Sequence, residues 1–160
     1  MPDTLTYRTL DKNLALVLRK AAGVWNDVLS DLVELREWVP PPPQSSAQEA
    51  NVKVLWGRPG EVRNETNPTR VAFCRREKPD DWRIVLAPEV KWAISSWSRF
   101  FGNGEDALVC LIHELGHVFK LPHASDLSYV MHPEIGGSGR LSRREKEHYR
   151  SHFLRMLEDE

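Results

Sequence analysis

Long apolar runs are missing from this 160-residue chain. None approaches the roughly 18–20 residues that a membrane-spanning helix needs. An excess of one charge is missing too. The 22 Lys and Arg stand against 23 Asp and Glu, a formal net charge of −1. That balance gives no bulk attraction to nucleic acid or to an acidic membrane surface, so neither is an expected partner. Cysteine is scarce, with only Cys74 and Cys110. Two buried free thiols are the expected reading, and a disulfide between them is the minority one. Repeats and low-complexity tracts are absent. The opening Met1-Pro2-Asp3-Thr4-Leu5 lacks the basic and apolar regions of a signal peptide. At face value the expectation is an intracellular or virion-associated protein, or a secreted one whose leader was removed.

What remains is an ordinary globular composition, 41% hydrophobic and 28% charged, at a length that suits one domain. Leu5 to Arg8 alternates and reads as a first strand. Asp11 is placed to cap a helix in which Leu14, Val17, Leu18, Ala21, Trp25, Val28, Leu29 and Leu32 recur at helical spacing. Residues 33–39 read as a second strand and Pro40 to Pro43 as a stiff connector. Strands are expected over 51–56, 69–76 and 83–87, with a loop over 57–68 between the first two. Asn103-Gly104 breaks the chain before a helix over about 105–119. Ser142-x-x-Glu145 is a capping box that opens a last helix.

The pattern that carries chemistry is His113-Glu114-Leu115-Gly116-His117, followed six residues later by His123. Residues four apart on a helix share a face, so His113 and His117 can aim two imidazoles at one ion. His123 lies just past the helix end, where the chain can fold back to supply a third nitrogen. Three protein ligands leave an open fourth position for water, the arrangement of catalytic rather than structural zinc. Glu114 is placed to act as the base for that water.

This run, with Met131 in Ser128-Tyr129-Val130-Met131-His132-Pro133, resembles the metzincin signature and its methionine turn. The order of elements resembles a matrixin catalytic domain along nearly the whole chain. The resemblance implies a zincin-like α+β fold. Its parts would be a twisted mixed sheet of about five strands, a backing helix, an active-site helix and a C-terminal helix. It implies one domain over residues 1–160, with an upper part to about 120 and a lower part from about 121 to 160. The implied activity is zinc-dependent endopeptidase action on a protein or peptide. His113, His117 and His123 would be the metal ligands, Glu114 the catalytic base, and Met131 a supporting base beneath the metal. A peptide would pair with the strand near 69–76, and Leu121 to Pro133 would shape a side-chain pocket. The alternative is a catalytically weak or inactive zinc-stabilised binding module on the same scaffold.

The family's motif glycine falls here on Lys120, and the resemblance predicts a left-handed backbone there. The 57–68 loop has no histidine and few acids, so structural calcium or a second zinc is not expected. His132 is expected outside the coordination shell. His148 and His152 read as a solvated pair, the six tryptophans as core, and the pairs Arg75-Arg76 and Arg143-Arg144 as solvated faces. The sequence sets no oligomeric state.

Overall fold

The computed structural model describes residues 4–43, 48–102, 104–134 and 139–160. Strand β1 (Thr4–Thr9) leads into helix α1 (Lys12–Leu29) and back to β2 (Glu34–Glu37). Strands β3 (Val52–Trp56), β4 (Ala72–Lys78) and β5 (Asp81–Leu86) complete a five-stranded sheet in the order β2-β1-β3-β5-β4. Its inner pairings are parallel, and β4 alone runs antiparallel, at one edge. A two-residue parallel pair, β6 (Trp92–Ala93) with β7 (Glu105–Asp106), brackets the short helix α2 (Ser96–Phe100). Helices α3 (Ala107–Val118) and α4 (Arg143–Glu158) follow. The fold is thus mixed α/β with five main strands and four helices among the described residues.

Several boundaries differ from the sequence expectation. The first helix stops at Leu29 because Leu32 and Val33 turn back onto the Leu29 carbonyl. The second strand spans four residues rather than seven. Strand β4 begins three residues later than expected, since residues 69–71 close the preceding loop. Helix α3 starts at Ala107 because Asp106 caps it, accepting from the backbone N–H groups of Leu108 and Val109. The expected break involves Asn103, which lies outside the described residues; Gly104 has φ of 106°.

Alternation along the strands faces Val52, Val54, Ile84 and Leu86 inward, where α1 and α3 cover them. Trp25 is fully buried between the helices and donates from Nε1 to the Ile112 carbonyl at 2.8 Å. This one bond locks the backing helix to the backbone of α3. Not every tryptophan is core: Trp97 is 74% exposed, because α2 is too short to bury a face. Helix α4 is tied to the turn after α1 by a two-pronged Arg150–Asp31 pair, 2.7 Å on each side. One apolar cluster runs from Leu5 to Phe153, so the segment after residue 120 shares the core of the segment before it.

The outer sheet face carries a second, smaller cluster. The 57–71 loop folds over it and buries Val62 against Val85 and Ala87, with Phe73 and Val90 alongside.

Asp11 joins two layers. Its Oδ1 accepts from Asn13 and Leu14 at the start of α1, and its Oδ2 accepts from Trp56 Nε1 at 2.6 Å. The Trp56 bond is the main cause holding its pKa below the usual carboxylate value. A depressed folded pKa contributes stability that is present above the unfolded pKa and lost as pH falls through the folded one. Asp11→Ala is therefore expected to cost about 1–2 kcal/mol near neutral pH. The gap from the parent should narrow once pH drops below about 4. Urea melts at pH 7 and pH 3 measure it, and a gap that stays constant would disprove this role.

Candidate metal centre

Helix α3 ends in a turn that decides the geometry of the site. Its last carbonyls are met by Lys120 N–H donating to His117 O at 2.9 Å and Leu121 N–H donating to Gly116 O at 3.1 Å. That pair of bonds is a Schellman closure, whose C′ position is left-handed. The C′ residue is Lys120, with φ of 60°, as the sequence predicts. A glycine there would be free of steric cost; lysine adopts it at the expense of strain. The reversal turns the chain back over the helix and carries His123 toward it.

The three histidines converge. Nε2 of His117 lies 3.2 Å from Nε2 of His113 and 3.2 Å from Nε2 of His123. The ligand atoms of all three lie within 4.8 Å of one another, and they are the metal-capable cluster found among the described residues. Tetrahedral zinc with bonds of about 2.0–2.1 Å would separate its nitrogens by about 3.4 Å, so the spacing fits.

Hydrogen bonding fixes which way the rings face. His113 Nδ1 lies 2.6 Å from the Val130 carbonyl, and His117 Nδ1 lies 3.0 Å from the Leu121 carbonyl. A carbonyl only accepts, so both Nδ1 atoms carry the proton and both Nε2 atoms present lone pairs. Two facing lone pairs cannot bond each other; they fit a cation between them. Burial is the largest cause lowering the pKa of His113, to about 4, and it lowers His117 as well. Both rings are thus held neutral, the form that ligates.

The Val130 carbonyl is itself held. Glu145 is buried, and its Oε2 accepts from Val130 N–H and from the Tyr149 hydroxyl, each at 2.6 Å. The Tyr149 oxygen in turn accepts from Met131 N–H at 3.1 Å. By its spacing from Ser142, Glu145 reads as the acid of a capping box. Ser142 does cap α4, accepting from Glu145 N–H at 3.1 Å, but the Glu145 carboxylate turns inward to the methionine turn. On the other side of that turn, Ala124 N–H donates to the Met131 carbonyl at 2.9 Å.

Met131 is fully buried beneath the site. It packs so closely on Gly116 that a Cβ there would overlap the Met131 sulfur and lie 2.9 Å from its Cε and 3.0 Å from Trp25. The glycine between the two helical histidines is therefore required by the methionine below it. His132 is outside the cluster; its Nδ1 accepts from Glu134 N–H at 3.1 Å.

Glu114 is 4% exposed and lines the same cleft without joining the converging ligand atoms. Burial raises its pKa to about 8, and the positive charge of Arg70 opposes the shift. A carboxyl poised near neutral pH suits general acid–base work. The cleft holds about 840 Å³, and β4 forms one wall. Val71 O accepts from Ala87 N–H at 2.8 Å. Antiparallel alternation then turns the peptide groups of Ala72 and Cys74 away from β5, and both residues line the cleft. Cys74 and Cys110 are free thiols, and burial pushes both pKa values up.

Glu145, Tyr149, Gly116 and Arg70 are thus part of the site without being singled out by the sequence. Comparison with protein-family models and with curated proteins finds no match to this chain. No helix of the described residues is long and apolar enough to cross a membrane.

Two substitutions test this geometry. Gly116→Ala gains about 1 kcal/mol of helix propensity but overpacks the site by about 1–3 kcal/mol. In a double-mutant cycle with Met131→Ala, the pair should cost about 1 kcal/mol less than the sum of the singles; additive costs would exclude the contact. At the turn, Lys120→Gly should leave stability equal or raise it by up to about 1 kcal/mol. Lys120→Val should lower it by about 1–2 kcal/mol. Thermal melts in which glycine is clearly worse than valine would refute the strained turn.

Proposed function

We propose that the chain is a zinc-dependent endopeptidase with a metzincin-type, matrixin-like catalytic domain. The observation that carries this reading is the convergence of three imidazole rings beside a buried glutamate, on the wall of a cleft bordered by the outer edge of β4. His113, His117 and His123 would hold the ion. Zinc, when bound there, supplies Lewis acidity toward the scissile carbonyl and lowers the pKa of a water.

The chain's own residues do the rest. Glu114 takes a proton from the attacking water and returns it to the leaving amine. The outward peptide groups of Ala72 and Cys74 pair with an extended substrate, as in strand addition. This fixes the register of the bond to be cut and reduces the entropy lost at the barrier. Segment 121–133 closes the opposite wall, with Pro133 on the cleft. The Val130 and Leu121 carbonyls hold the two helical imidazoles in one tautomer throughout.

Protein prepared without chelator should carry about one equivalent of zinc, with Zn–N distances of about 2.0–2.1 Å by X-ray absorption. Glu114→Ala should keep the zinc and lose roughly 10²–10⁴-fold or more in peptide cleavage. His123→Ala should weaken zinc binding. If the zinc-loaded parent cleaves nothing in a diverse peptide library, read by mass spectrometry, the endopeptidase reading falls. Peptides that bind equally well to parent and Glu114→Ala would then point to a binding module.

A further inference from the structure

Arg70 stands at the end of the 57–71 loop, one residue before the strand pairing begins, and its position is set by three contacts. Its Nε donates to the Val62 carbonyl at 2.9 Å, and its guanidinium carbon lies 5.0 Å from the centre of the Phe73 ring. Arg63 Nε donates back to the Arg70 carbonyl at 3.4 Å. Val62 is fully buried in the outer-face cluster. The loop is anchored to the sheet by apolar packing, and Arg70 is anchored to the loop.

Arg70 nevertheless lines the cleft that holds Glu114 and the histidines, where its charge acts on Glu114, and it is the only Lys or Arg among the described residues lining it. Arg8, Arg19, Lys53, Arg75 and Arg150 each meet a carboxylate within 4 Å; Arg70 meets none among the described residues. Beyond the Val62 carbonyl, the Phe73 ring and the more distant charge of Glu114, this half-buried guanidinium has no direct carboxylate partner among the described residues to replace its lost hydration. Its fork of terminal N–H donors matches a carboxylate, and the pinned base reduces the entropy lost on binding one.

We propose that Arg70 is a specificity-determining residue that selects peptides with an acidic side chain within about two or three residues of the scissile bond. This rests on the peptidase reading above. A peptide paired along β4 meets the outward groups of Ala72 and Cys74, and Arg70 lies two residues before Ala72 on the same cleft. Glu105 and Glu134 also line the cleft but are exposed. They are screened by salt and sit on other walls, so they oppose an acidic side chain there and confine the preference to the Arg70 side.

The test uses zinc-loaded parent, Arg70→Gln and Arg70→Glu, each checked for zinc content and thermal melting. Glutamine keeps an amide donor for the Val62 carbonyl. Peptides differ only by Glu, Gln or Lys at each position flanking the cut, and kcat/KM is read at low and high salt. Equilibrium binding of the same peptides is read with Glu114→Ala. The parent should favour Glu over Lys by about tenfold at one position, mainly through KM, with the ratio shrinking at high salt. Arg70→Gln should bring the ratio near one, and Arg70→Glu should invert it. Equal cleavage of all three peptides by the parent overturns the proposal. So does a uniform loss in Arg70→Gln, which would place Arg70 on the reacting atoms instead. If nothing is cleaved but Glu114→Ala still binds the Glu peptide preferentially, the peptidase reading fails and the charge selection stands. If neither cleavage nor charge-dependent binding appears, both fall.

Discussion

Everything at this site depends on two backbone carbonyls, those of Val130 and Leu121. Each accepts from the Nδ1 of a helical histidine and so turns that ring's Nε2 lone pair toward its neighbours. Without those acceptors, two imidazoles on one helix face would choose between tautomers, and the tautomer with the proton on Nε2 cannot ligate through it. The carbonyls come from two different turns. One is the closure of α3 at Lys120, and the other is the methionine turn. The fold can be read as the means of holding both turns against one helix.

The methionine turn is held from below and from behind. From below, Met131 fits against Gly116 and Trp25, so the depth of the turn is set by a glycine on α3. From behind, α4 brings up Glu145 and Tyr149, which meet the N–H groups of Val130 and Met131. A buried carboxylate is costly unless its lone pairs are satisfied. Glu145 Oε2 has two donors at 2.6 Å, and these bonds to an ionised group are of the stronger kind. The charge is thus part of the ligand scaffold. It reaches His113 through a hydrogen-bonded path: the Tyr149 hydroxyl donates to the carboxylate, Met131 N–H donates to the Tyr149 oxygen, and the Val130 carbonyl of that same peptide group accepts from His113 Nδ1. Helix α4 is kept in place by Arg150 on Asp31, in the turn just past α1, and by the contact of Lys146 with Asp27 on α1. The same α1 locks α3 through Trp25. One helix therefore registers both halves of the site.

The three converging histidines and the glutamate beside them were legible in the sequence because they depend on local spacing. His113, Glu114 and His117 are related by helical periodicity alone, whereas the left-handed turn at Lys120 was what the family resemblance implied. Five strands were legible for the same reason, since alternation and turn residues mark strands, while their joining in one mixed sheet was what the resemblance implied. What could not be read depends on contacts across the chain. Ser-x-x-Glu reads as a capping box whether the carboxylate turns back to the cap or inward; a turn fifteen residues earlier in the chain decides between them. Arg70 is one arginine among many until the loop before it packs on the outer sheet face. Trp97 looked like core because aromatic residues usually are, but a five-residue helix has no second face to bury.

Strain is distributed in a way that separates topology from chemistry. Two non-glycine residues among those described have positive φ, Asp80 at 62° and Lys120 at 60°. Asp80 sits in the β4–β5 hairpin, far along the sheet, where a short polar side chain tolerates this region and any tight reversal needs it. Its carbonyl also accepts from Asn51 Nδ2, tying the hairpin to the start of β3. Lys120 has no such local excuse. Its conformation is maintained by the two closing bonds of α3 and by the burial of Leu121, the next residue. Its Nζ reaches Glu160 at 3.2 Å, but both partners are exposed, and such a pair contributes at most about 1 kcal/mol. The strain is therefore offset mainly by the turn itself, which buries Leu121 and aims its carbonyl at His117. A straight continuation of the helix would relieve Lys120 and move both that carbonyl and His123 away from the other ligands. The strained residue is what brings a third imidazole to the other two.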